Sequence, residues 1–419
     1  MKSNILSFCT LFCALAISCG GNGSGGKVAV KPAIDEVLPD WSEGYLDIHA
    51  INTGRGESTL YILPDGTTML VDASSSLIAV DHSIPPPPAK PNAWAVSGQT
   101  ILNYVSHFIK TTGNKLDYIM LTHWHPDHMG GFSETLPLHA SGQFHLNGVT
   151  QVGAGIRFDK MIDRGYTYPA DMSSDPLIAN YIKFVNWSKT EYNAEAEQFK
   201  VGVTDQIILK KRAAKYANFQ IRNIIGNGVV WTGEGTGTRN TLPESVGEII
   251  DLVQYENIFS CGFHLKYGLF DYFAGGDLQF NGRSTHAWLD VEAPVTDVVQ
   301  HVEVFKANHH GTANCNDAPL LNKLSPDAIL IHVWRDVQPN PATVERMFAA
   351  NNDCEIFTTN MTEQNKTVLG AETISKLKSL NGHIVVRVAP GGREYYIYVL
   401  DDTNEEYKVQ KIFGPYQCN

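Results

Sequence analysis

Three short apolar runs follow one another early in the chain: YLDIHAI (45–51), STLYIL (58–63) and TMLVDA (68–73). Their length and their β-branched and aromatic content predict strands. PDGT between the last two is a turn signal, so the three read as a meander. In GQTILNYVSHFIKTTG (98–113) the apolar positions Ile101, Leu102, Val105, Phe108 and Ile109 recur at helical spacing, and a glycine closes the run. That predicts a helix. LDYIMLT (116–122) is apolar almost throughout and predicts a buried strand.

Regular patterning returns late. NIFSCGFHLKYGLFDYFAGGD (257–277) predicts two strands hinged at Gly268, followed by strands at VEVFKAN (302–308) and AILIHV (328–333). A helix is predicted over 341–350, and HIVVRV and EYYIYVL give a closing pair of strands. The stretch between, about 140–250, mixes polar loops with one helical pattern, DPLIANYIKFVNWSK, and a glycine-rich turn, TGEGTGTRN. It reads as a long insertion over one face. No helix-forming sequence or lysine follows the glycines, so a phosphate-cradling loop is not expected. SIPPPPAKP (83–91) can be neither helix nor central strand and reads as an extended loop. The order strands–helix–strand, insertion, strands–helix–strands predicts an α/β (α+β) fold. Its expected form is a four-layer αββα sandwich with two packed sheets and helices outside.

The first residues follow other rules. Lys2 precedes the apolar run ILSFCTLFCALAI (5–17), too short to cross a bilayer but suited to a signal peptide. AISCGG resembles a bacterial lipobox, which implies lipidation of Cys19; simple cleavage after ALA (14–16) is the alternative. GGNGSGGK then reads as a flexible tether. The expected organisation is a signal peptide over 1–18, the lipidated cysteine and tether over 19–40, and one domain over 41–419. That places the protein outside the cytoplasm, in the cell envelope and attached to a membrane.

Composition narrows the function further. Of 419 residues 43% are hydrophobic, as in an ordinary globular protein, and the net charge is −12. An acidic chain repels polyphosphate backbones, so nucleic acid is not the expected partner. Seven cysteines include Cys9, Cys13 and Cys19 in the targeting segment. Of the other four, Cys261 reads as a buried thiol, while Cys315 and Cys354 could form a disulfide in an oxidising compartment.

The chemistry concentrates at THWHPDHMGG (122–131), where His123, His125, Asp127 and His128 crowd the end of a core strand. Downstream, AGGDLQ supplies Asp277 and NHHGT supplies His309 and His310, each beside glycine. Imidazole and carboxylate ligands suit zinc best, with manganese or iron as alternatives. This HxHxDH set, followed by an aspartate and a late histidine, resembles the metallo-β-lactamase-fold hydrolases. More narrowly it resembles their ComEC-type branch, which includes a DNA-uptake hydrolase domain and phosphorylcholine esterases. AINTGRGEST, TMLVDAS, ENIFSCGFHLKYG, FAGGDL, VFKANHHGT and QPNPATVERM extend the likeness along the chain.

The resemblance implies two divalent metal ions. His123, His125 and Asp277 would hold the first, and Asp127, His128, Asp277 and His310 the second, with Asp277 as bridge. Asp72 would orient a ligating histidine, and His309 would face the substrate. Asp127, Asp277 and His309 are therefore the candidate catalytic residues. Many relatives carry a further histidine between the cluster and the bridge; His139 and His145 lie there without the usual context. His264 is expected on the polar face of a strand, Trp124 in packing, Trp94 as surface packing near the proline loop, and KKRAAK (210–215) on a solvated face. Two ions sharing a water would ionise it near neutrality for attack on phosphorus or a carbonyl. The expected activity is phosphodiester hydrolysis of small or lipid-linked esters. The alternatives are a nuclease, a lactonase or other carbonyl hydrolase, and a non-catalytic metal-binding lipoprotein.

Overall fold

The meander forms as read: β1 (Leu46–Ala50), β2 (Thr59–Ile62) and β3 (Thr68–Val71) pair antiparallel in that order. The computed structural model describes residues 31–74, 89–92, 98–246, 255–280 and 286–419. Helix α1 (Gln99–Phe108) then leads into β4 (Leu116–Met120), which lies parallel to β3. A one-turn helix, α2 (Pro126–Met129), and α3 (Gly148–Gly155) precede β5 (Phe158–Asp163); α4 (Pro176–Glu191) precedes β6 (Glu195–Gln198). The second sheet begins with β7 (Phe219–Gly226), β8 (Val229–Trp231) and β9 (Thr238–Asn240). It continues with β10 (Gly262–Tyr267), β11 (Phe270–Ala274), β12 (Val304–Lys306), β13 (Ala328–Ile331) and β14 (Glu355–Thr358). The chain returns to the first sheet with β15 (His383–Val388), β16 (Glu394–Leu400) and β17 (Val409–Gln417).

The first sheet has the order β17-β16-β15-β1-β2-β3-β4-β5-β6, and the second β14-β13-β12-β11-β10-β7-β8-β9. Each is antiparallel at one end and parallel at the other, with β3 to β6 and β11 to β14 as the parallel halves. Alternation along the strands makes the layers. In β2, Leu60 and Ile62 face α1, α3 and α4, while Tyr61 faces the other sheet. In β13, Ala328 and Leu330 face the first sheet, while Ile329 and Ile331 pack against the outer helices Ala318–Leu324 and Pro341–Ala350. Three apolar layers thus separate four layers of secondary structure, the expected αββα sandwich.

Two expectations need correction. The 140–250 stretch is not a cover over one face: it supplies β5 and β6 to the first sheet and β7, β8 and β9 to the second. Several of these strands lack apolar alternation because they lie at sheet edges, where EAEQ of β6 and TRN of β9 face solvent. Cys315 and Cys354 are separate, buried thiols, as are Cys261 and Cys418. Other readings hold. His264 pairs with Asp271 at 2.8 Å on β10, Trp124 is buried, and residues 210–215 are exposed. Cys19, Trp94 and most of the proline loop lie outside the described residues. Among those described, no helix is long and apolar enough to cross a membrane.

Candidate metal centre

The carboxyl ends of the parallel strands from both sheets meet at one place. β3 leads to Asp72 and β4 to Thr122 and His123; across the seam, β11 leads to Asp277, β12 ends in Lys306 and leads to His309 and His310, and β13 leads to His332. Such strand ends are where open α/β sheets leave room for ligands. The histidine loop turns at Pro126, whose fixed φ suits the first residue of α2 and sets Asp127 and His128 on one helical turn. Gly130 follows with φ +89°, and a side chain on it would strike the backbone of Gly148 at 2.2 Å. Helix α3 thus packs directly on the loop.

Three histidines have their tautomers fixed from behind. Thr122 donates its N–H to Asp72 Oδ1 (2.8 Å) and its hydroxyl to Oδ2 (2.7 Å), so it accepts from His123 Nδ1 (3.0 Å). His128 Nδ1 donates to Asp72 Oδ2 at 2.8 Å, and His310 Nδ1 to the His332 carbonyl at 3.0 Å. Each ring then presents a bare Nε2. Those atoms converge on Asp277 Oδ2, at 3.9 Å from His123, 3.2 Å from His128 and 3.4 Å from His310. Asp127 Oδ2 lies 3.2 Å from His310 Nε2, and His125 Nδ1 lies 3.1 Å from His123 Nε2. Lone pairs facing carboxylates at this range need a proton or a cation between them. The buried Asp277 Oδ1 has no hydrogen-bond partner either. The donor set therefore fits divalent metal ions.

The charges agree with that reading. Burial alone would raise the Asp277 carboxyl, but His128 and His310 outweigh it and hold it well below the usual range. The two histidines move the other way. Burial opposes their charge, yet Asp277 with Asp72 lifts His128, and Asp277 with Asp127 lifts His310 to about 9. Without a metal, protons take the cation's place. His123 is instead pushed well below its ordinary value by burial and by its neighbours His128 and His125.

All six expected ligands are thus gathered in one cluster. His309 stands at its margin, with Nε2 3.1 Å from Asn257 Nδ2 and 4.0 Å from Asp277 Oδ2. Burial lowers its pKa to about 4, so the ring is neutral near pH 7. His309 and His310 both adopt left-handed backbone, with φ +46° and +53°, as does Asp72 at +56°. Strain of this kind at non-glycine residues gathers at functional sites. His139 and His145 do not join: their Nδ1 atoms pair with Ser141 and with the Leu136 carbonyl.

The sequence reading missed the groups beneath the cluster. Glu57, His128, Asp277 and His310 offer ligand atoms within 4.8 Å of one another. Glu57, however, approaches the Nδ1 side of His310 (3.6 Å), away from the Nε2 that faces Asp277. Its firm partner is Lys306 at 2.8 Å, which also donates to the Gly276 carbonyl (2.9 Å) and lies 4.0 Å from Asp277 Oδ1. We therefore read Glu57 and Lys306 as a buried charge pair under Asp277. Lys306 was legible in principle, as a lone lysine in the apolar strand VFKAN. Arg164 and Glu256 form a second pair: Nε–Oε1 is 2.6 Å and Nη2–Oε2 2.7 Å, with both side chains buried. Glu256 Oε1 also accepts the Trp124 N–H at 2.9 Å, which pins the backbone between His123 and His125.

Comparison with known proteins fits this geometry. Residues 52–137 match the family model of the Metallo-beta-lactamase superfamily, a segment that includes Glu57, Asp72 and the whole histidine loop. A Lactamase-like protein nscB of Trichophyton rubrum is 30% identical over 119 residues, 28% of this chain and 30% of the fungal protein. The matched part is thus under a third of that relative's length. Among solved structures, a protein of Parabacteroides distasonis described as a metal-dependent hydrolase is 14% identical, with TM-score 0.35. That match covers 75% of this chain and 92% of the other. The metallo hydrolase Igni18 of Ignicoccus hospitalis is 8% identical with TM-score 0.36, covering 81% and 98%. The likeness to the Metallo-beta-lactamase superfamily thus lies in residues 52–137, the segment that holds the whole histidine loop.

Proposed function

We propose that the protein is a phosphodiester hydrolase that works with two divalent cations, zinc by preference. The coarser reading, a metal-dependent hydrolase on this fold, is supported by the family match and the candidate site. The observation that carries it is the convergence of three bare Nε2 atoms on one oxygen of Asp277. In this reading His123, His125 and Asp277 hold one ion, and Asp127, His128, Asp277 and His310 the other. Bound there, the pair supplies an ionised water and a counter-charge for the phosphoryl oxygens. Asp72 holds Thr122 and His128 in the orientation the ligands need. His309, neutral and 3.1 Å from Asn257, offers a ring that can donate to a substrate or leaving-group oxygen.

The test is a substrate panel on the zinc-loaded protein. Bis(p-nitrophenyl) phosphate should be hydrolysed, plasmid DNA cut poorly and penicillins hardly at all. DNA cleavage that weakens with salt would favour the nuclease, and lactone turnover alone would move the chemistry to carbonyl carbon. We also propose export and anchoring through Cys19, from the apolar run at 5–17 and AISCGG. Cys19→Ser should move the protein to the soluble fraction of a bacterial host, and unchanged fractionation would favour simple cleavage.

A further inference from the structure

Beside the histidine loop lies a cleft of about 310 Å³. Trp124, His125 and Phe132 form one side, and Met172, Leu177 and Ile178 from the start of α4 and the segment before it form the other. Its two carboxylates are already engaged. Asp175 caps α4 by accepting the N–H groups of Leu177 (2.9 Å) and Ile178 (3.2 Å), and Glu256 holds Arg164 and the Trp124 N–H. Apart from His125 and Asp175, the side chains that remain to contact a ligand are apolar, with Phe132, Met172 and Leu177 all only partly buried. The cleft adjoins the candidate centre, because His125 lines it and also stands 3.1 Å from His123 Nε2.

We propose that this cleft receives a hydrocarbon chain, so that the preferred substrate carries an alkyl or acyl group next to the reacting phosphoryl. Partly exposed apolar side chains facing each other across a small concavity are the usual lining of a ligand site. Beside His125 and the exposed carboxylate of Asp175, the side chains of Trp124, Phe132, Met172, Leu177 and Ile178 are apolar, which favours apolar contact as the means of recognition. The identity of the reacting group rests on the hydrolase reading; the cleft's preference for a chain does not.

Binding therefore tests the proposal without turnover. The zinc-loaded full chain is titrated calorimetrically with methyl-, butyl- and octylphosphonate. Each buried methylene should tighten binding by up to about fourfold, so octyl- should bind more than about tenfold tighter than butylphosphonate. Leu177→Asp should reduce the octyl-to-methyl ratio to near unity. Leu177 is the second residue of α4, where an acidic side chain suits the helix N-terminus, so the variant keeps its fold. Phe132→Ala, from the opposite wall, should lower the same ratio. Equal affinity for all three phosphonates, or an octyl preference that both variants retain, overturns the proposal. Octyl-selective binding beside a silent substrate panel would retire the hydrolase reading and leave the cleft assignment standing.

Discussion

Asp277 carries more of the site than any other side chain, since one of its oxygens faces His123, His128, His309 and His310 within 4.0 Å. Asp277→Asn keeps the shape but removes the charge that offsets repulsion between two cations. We expect metal content to fall from two ions toward one and turnover to vanish; full occupancy and full activity would show that the bridge lies elsewhere. Asp72→Asn leaves every ligand in place but loosens two of them, and should weaken metal affinity by about 10–100-fold. Protonation gives a further handle. In the metal-free protein His310 titrates at about 9, above its ordinary 6.5, because Asp277 and Asp127 face it. Its contribution to stability is therefore fully present below pH 6.5 and is lost as pH rises through 9. Thermal melts of chelator-treated protein should fall across that window. Zinc must displace the same proton, so its affinity should rise over the same range. Four ligands were legible as one compact motif, and Asp277 and His310 as polar residues beside glycine after strand-like runs. The pairing of Glu57 with Lys306 was not, since it spans about 250 positions and leaves no local spacing to read.

At the scale of elements, the Arg164–Glu256 pair joins the end of β5 to the turn before β10, and Glu256 in addition holds the Trp124 N–H of the loop after β4. Breaking one member leaves a buried charge without its partner, which costs about 3–5 kcal/mol. Glu256→Ala should therefore lower denaturant stability by that order and also free the Trp124 backbone. The specific outcome is weaker zinc binding, recovered in part by Glu256→Gln, which retains an acceptor for the Trp124 N–H. A stability loss with unchanged zinc affinity would reduce the pair to a packing role. The strands of the meander and the helix over 341–350 were readable because burial on both faces, or on one stripe, writes a period into the residues. Edge strands carry no such period. β6, with Glu195 and Glu197 in four residues, looks like a loop until β5 is set beside it.

The whole molecule shows what no window of sequence could. The first sheet contributes His123, His125, Asp127 and His128, whereas the second contributes Asp277, His309 and His310. All four cysteines of the described part are separate thiols, so each should be alkylated in denaturant without prior reduction. A shortfall would reveal a bridge. Among the described residues no disulfide therefore ties sheet to sheet, and the interlayer apolar packing holds them together. An ion gripped by His128 on one side and His310 on the other would act as a rivet through the seam. Its grip on the folded state grows with the logarithm of free metal over the dissociation constant. The protein's hold on its own shape would then follow the metal supply of its surroundings. A chain starved of that metal would open first along the line where its two sheets meet.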